Sequence, residues 1–104
     1  MNEKREFLKR ISSELVEEVK NGKFESINKG LISVYEKHGY KNLKPFEVWQ
    51  SLGYSIKSGA EAVYIWGKKI EKEIEENGHK KLISFFPLVA LYSELQVYNK
   101  SNNN

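Results

Sequence analysis

Tyr35, Lys37, His38, Tyr40, Lys41, Lys44 and Phe46 interleave cations with rings in one short stretch, and Tyr54, Lys57, Tyr64 and Trp66 form a second group soon after. Such a mixture suits one chemistry in particular. Ammonium groups can follow a phosphate backbone while each ring offers a face on which an unpaired base stacks, at about 1 to 3 kcal/mol per base. The candidate contacts for single-stranded nucleic acid are therefore Lys41, Lys44 and Lys57, with Tyr40, Tyr54, Tyr64 and Trp66. The same rings fit a second role, because aromatic residues at alternating strand positions commonly face a core. The sequence admits both.

Other chemistries find less support. His38 and His79 each stand next to a glycine in turn-like segments and share no ligand spacing with each other or with a carboxylate. A catalytic zinc ordinarily takes three protein ligands. Glu71, Glu73, Glu75 and Glu76 are interspersed with lysine, which reads as a solvated charged face rather than a paired acid and base. The chain has no nucleophile elbow, Walker loop, dinucleotide fingerprint or His-Glu-x-x-His pattern. Binding without catalysis, cofactor or metal is the expectation.

The bulk properties agree with a small folded binder. At 104 residues the chain is one domain's worth, and 39% hydrophobic content is enough for a single core. Having no cysteine, it can form neither a disulfide framework nor a thiolate metal site. The polar start Met-Asn-Glu-Lys-Arg-Glu lacks a signal peptide's apolar run, so a cytoplasmic location is expected. No membrane span is expected either, since the longest apolar run, Phe85 to Tyr92, falls far short of the ~20 residues a spanning helix needs. A net charge of +3, from 17 basic and 14 acidic residues, permits a nucleic-acid partner without demanding one. The preference for Lys, Asn and Ile suits a low-GC bacterium, its phages or its plasmids.

These residues need a scaffold to position them. Phe7, Leu8, Ile11, Leu15, Val16 and Val19 recur at helical steps, predicting a helix from Lys4 to Lys20 that Asn2 caps and Gly22 stops. Phe24, Ile27, Leu31, Val34 and Tyr35 predict a second helix ending at His38-Gly39. Pro45 opens a short third helix in which Val48, Trp49 and Leu52 share a face and Gly53 closes the turn. Beyond it the period changes to two, and Tyr54 to Trp66 reads as a β-hairpin turning at Lys57 to Ala60, with Gly59 at positive φ. In that reading Val48 and Trp49 pack onto the sheet while Tyr64 and Trp66 form an exposed platform; a one-residue slip would exchange the faces.

Residues 67–81 carry both a charged helical pattern and the tight-turn pair Asn77-Gly78, and are read as a solvated excursion between strands. Leu82 to Tyr92 reads as a strand buried on both faces, in which Pro87 requires an edge or a bulge because it has no N–H. The expected fold is α+β: two or three N-terminal helices on a small antiparallel sheet of about three strands. The domain covers residues 1–98, and 99–104 form a polar disordered tail.

One set of residues carries a family resemblance. Phe46-Glu-Val-Trp-Gln-Ser-Leu-Gly-Tyr-Ser-Ile-Lys57, Gly59, Ala62-Val-Tyr-Ile-Trp66 and Phe85-Phe-Pro-Leu-Val-Ala-Leu-Tyr-Ser-Glu-Leu-Gln-Val97 resemble the N-terminal domain of ArdC-type antirestriction proteins. The resemblance spans most of residues 3–98, with Trp49, Leu52, Gly53, Lys57, Gly59 and Gln96 as its anchors. It implies single-stranded-DNA binding by an accessory protein of a plasmid or phage. The chain departs from the family at one turn, where Lys57-Ser-Gly-Ala-Glu61 replaces Lys-Lys-Gly-Glu-Lys and is neutral rather than doubly positive. Each lost phosphate contact flattens the salt dependence of single-strand binding by about 0.7. That departure leaves an alternative: a phage- or plasmid-encoded inhibitor that binds a host defence enzyme on the same scaffold.

Overall fold

The computed structural model describes residues 3–102, so the expected Asn2 cap and the last two asparagines lie outside the described residues. Three helices come first, α1 (Glu3–Lys20), α2 (Ile27–Lys37) and α3 (Phe46–Ser51). Six strands follow: β1 (Tyr54–Ile56), β2 (Val63–Trp66), β3 (Ile70–Glu76), β4 (His79–Phe85), β5 (Leu88–Leu91) and β6 (Val97–Asn99). The class is α+β, with the helices N-terminal. The sheet is three antiparallel pairs, β1 with β6, β2 with β5 and β3 with β4, rather than about three strands.

Local chemistry explains where the helices stop. At the end of α1 the Lys23 N–H reaches the Glu18 carbonyl and the Gly22 N–H that of Val19, with Gly22 at φ 81°. This reciprocal closure satisfies two end carbonyls and needs a left-handed residue that glycine supplies without strain. Tyr40 and Gly39 close α2 on Tyr35 and Glu36 in the same way. The start of α2 is Ser26, whose hydroxyl accepts from the Lys29 N–H; this places the helix three residues after Phe24, where the apolar pattern began.

Leu8 and Leu15 of α1 and Leu31 and Tyr35 of α2 form the buried centre, closed on one side by β2 and Leu88. Gly30 is buried where the helices meet, and a Cβ there would stand 3.1 Å from the Leu15 methyls. A second apolar layer holds Trp49, Leu91 and Val97 beneath α3 and the β1–β6 pair.

The expected hairpin of β1 with β2 does not form. The Lys57 N–H donates to the Gln96 carbonyl at 2.8 Å, and the Gln96 side chain donates to the Glu61 carbonyl at 2.6 Å. Gln96 thus occupies the space between the two strands. The turn itself is as expected, with Ala60 N–H bonded to Lys57 O and Gly59 at φ 81°.

Residues 67–81 are not a loose excursion. Asn77 and Gly78, at φ 52° and 77°, make the tight turn of the β3–β4 hairpin. The expected single strand from Leu82 to Tyr92 is split by Phe86 and Pro87: Trp66 faces Leu88 and Ile70 faces Phe85, so three residues oppose two. The ladder breaks here into two separate pairs, at a proline that has no N–H to give it. β3 and β4 project from the body, which explains a radius of gyration of 17.1 Å where about 13 Å is usual for this length. β6 reaches Asn99, one residue into the expected tail, and Lys100–Asn102 form a 3-10 turn. Among the described residues no helix is long and apolar enough to cross a membrane.

Candidate nucleic-acid interface

The seven residues singled out from sequence fall into separate groups. Tyr64 and Trp66 lie half-buried against the helical core, not on an exposed platform. The Tyr64 hydroxyl accepts from Lys4 Nζ at 3.0 Å, and that ammonium stands 5.1 Å from the ring centroid. The hydrogen bond to Tyr64 and the charge interaction with it raise the pKa of Lys4 above its ordinary value. Trp66 donates from Nε1 to Ser12 Oγ at 2.8 Å, and the Arg5 guanidinium lies 5.6 Å from its ring. The helix α1 therefore supplies both rings with cations from within the chain, a pairing the sequence reading missed because Lys4 and Arg5 are distant in sequence.

Lys44 and Tyr54 belong to the other end of the molecule, around Trp49. The Trp49 ring is 5% exposed and donates from Nε1 to the Tyr92 carbonyl at 2.9 Å. Lys44 Nζ sits 4.7 Å from its centroid, and Tyr54 meets it edge-on at 5.2 Å. Val48 and Leu52 were expected to pack beside Trp49, yet both are exposed. In a helix this short only one residue per turn points inward, and adjacent positions rotate by about 100°.

Tyr40 packs against the core, and Lys41 is exposed beside Glu94, whose N–H bonds to the Lys41 carbonyl. The Glu94 carboxylate also accepts from Asn42 at 2.6 Å, so an anion stands close to that loop. Lys57 is exposed, and among the described residues its ammonium has no hydrogen bond or ion pair.

Lys57 leads to a surface that the sequence reading did not include. Tyr54 faces Asn99, Ser55 faces Tyr98 and Ile56 faces Val97. The same register continues at both ends, through Lys57 N–H to Gln96 O and Lys100 N–H to Gly53 O at 3.0 Å. Alternation then puts Ser55, Lys57 and Tyr98 on one face, away from buried Val97, and Lys100 opens the 3-10 turn that follows Asn99. Tyr98 is 41% exposed, with Lys57 diagonally across the pair, about 7 Å away by strand geometry, and Lys100 exposed just past the end of β6. A strand of three residues gives too short an alternation to be read from sequence, and Lys100 fell in the expected tail.

Four of the resemblance anchors have structural duties. Trp49 fills the second layer, Gly53 and Gly59 take φ of 91° and 81°, and Gln96 separates β1 from β2. Among the described residues the Lys57 side chain has no hydrogen bond or ion pair, its backbone alone bonding Gln96 and Ala60, and Leu52 is exposed. No family model matches the chain, and neither does any curated protein or solved structure.

Proposed function

We propose that the protein binds single-stranded DNA on the outward face of the β1–β6 pair, as a small antirestriction-like accessory protein of a phage or plasmid acting in the cytoplasm. The observation that carries this reading is the exposed Tyr98 ring on the strand pair that Lys57 and Lys100 adjoin, neither ammonium having a hydrogen bond or ion pair among the described residues. One base can stack on the ring while two phosphates meet the ammonium groups. Lys57 is also the cationic anchor of the resemblance, and it is the one whose retention the fold does not require. Tyr64, Trp66 and Lys44 serve this reading as scaffold, since their rings and cations already engage one another.

Fluorescence anisotropy with labelled oligo-dT tests the reading. Binding at low salt should exceed that of a duplex of equal length, and its logarithm should fall with log salt at a slope of about 1.4, the value for two contacts. No binding to any oligonucleotide at low salt would remove the proposal.

A second reading, inhibition of a host defence enzyme by direct contact, draws on the exposed Phe46 and Val48 of α3 and Leu52 just after it. It predicts a host protein retained after nuclease treatment and lost with Leu52→Lys.

A further inference from the structure

The β3–β4 arm presents an unexplained arrangement. Two-stranded ribbons are marginal alone in water and gain independent stability with a third or fourth strand. Here every arm residue except Ile74 and Ile83 is exposed, and Leu82 is 68% exposed. Among the described residues neither outer edge of the arm is paired.

The two edges differ in charge. The tight turn bonds Glu76 to His79, so alternation along the ladder leaves the backbone groups of Lys80, Leu82 and Ser84 pointing outward from β4, and those of Glu71, Glu73 and Glu75 outward from β3. Two copies of β3 set side by side would oppose Glu73 with Glu73 and Glu71 with Glu75, a like-charge pairing that repels. Two copies of β4 set antiparallel about Leu82 oppose Leu82 with Leu82, Lys80 with Ser84, Lys81 with Ile83 and His79 with Phe85. No like charges meet. The register also brings together the residues whose N–H and C=O groups are free, and it uses the whole of β4.

We propose that the outer edge of β4 pairs with the same edge of a second copy, with Leu82 on the two-fold axis, giving a four-stranded sheet ordered β3-β4-β4-β3. The acidic outer edge of each β3 then terminates the sheet, since a further copy would meet carboxylates. The interface is isologous and closes at two. This inference is independent of the nucleic-acid reading.

Sedimentation velocity on the full chain tests it. The mass should rise with concentration from 12.1 kDa to twice that value and no further. Leu82→Lys, which sets two ammonium groups face to face, should raise the dimer dissociation constant by at least about tenfold, whereas Leu95→Lys, at an equally exposed site outside the arm, should leave it unchanged. Leu82→Cys supplies the only cysteine in the chain, and a self-paired position about 5.5 Å between Cα atoms should cross-link on oxidation to a dimer, while Leu95→Cys should not. A monomer up to about 1 mM, a weak association by any measure, would overturn the proposal, as would species growing beyond the dimer or a Leu82→Lys protein that dimerises like the parent.

Discussion

The side-chain amide of Asn28 completes the backbone of Trp66: its Nδ2 donates to the Trp66 carbonyl at 2.7 Å and its Oδ1 accepts from the Trp66 N–H at 2.9 Å. A helix side chain thereby takes the place of a neighbouring strand at the end of β2. Asn28→Ala should lower stability by about 1 to 3 kcal/mol, because it leaves a half-buried donor and acceptor unmatched. Urea unfolding followed by tryptophan fluorescence measures this. Asn28→Asp, which keeps the acceptor but sets an anion against the Trp66 carbonyl, should be no better than alanine.

What the sequence made legible was the local chemistry. Gly22, Gly39 and Gly53 each stop a helix at positive φ, and the Asn77-Gly78 pair makes a turn, because these residues act on their immediate neighbours. Pairing was less legible. The alternation from Tyr54 to Trp66 is genuine, but partners are chosen at long range: β1 takes β6 and β2 takes β5. Periodicity marks which residues share a face without saying which face meets the core. Tyr64 and Trp66 therefore looked like a platform, although α1 covers them with Lys4 and Arg5. Tyr98 lay in a strand too short to show any period.

Gln96 ties together the segments that join those strands. Its Oε1 accepts from the Ser93 N–H at 2.8 Å while its Nε2 holds the Glu61 carbonyl. Gln96→Ala should destabilise by about 1 to 3 kcal/mol, with amide exchange quickening at Ser93 and Lys57 ahead of the helical core. Gln96→Glu keeps the acceptor but loses the donor, so protection at Ser93 should survive better than that of the 57–61 turn.

Tyr35 sets an alkaline limit. Burial raises its pKa above the ordinary tyrosine value, and its hydroxyl donates to the Tyr64 carbonyl at 2.6 Å. The folded state therefore holds this proton to higher pH than the unfolded chain does, so the contribution is constant below about pH 10 and is lost as pH rises above it. Thermal melts should show a midpoint that falls above pH 10. In Tyr35→Phe that component of the fall should vanish, at a loss of about 1 kcal/mol from the missing hydrogen bond at neutral pH.

The nucleic-acid proposal separates ring from cation at the β1–β6 face. Tyr98→Ala removes a stacking surface but no charge, so it should weaken oligo-dT binding by roughly 5- to 150-fold, the equivalent of about 1 to 3 kcal/mol, at an unchanged salt slope. Lys57→Ala and Lys100→Ala should each lower that slope by about 0.7. Because Tyr98 is partly exposed and both lysines are exposed, these variants should keep their melting points near that of the parent. Tyr64→Phe deletes only the hydroxyl that Lys4 holds, and should leave binding intact. If instead Lys41→Ala weakens binding while Tyr98→Ala does not, the DNA-contacting surface is the 37–44 loop, where the Glu94 carboxylate beside Asn42 works against a phosphate.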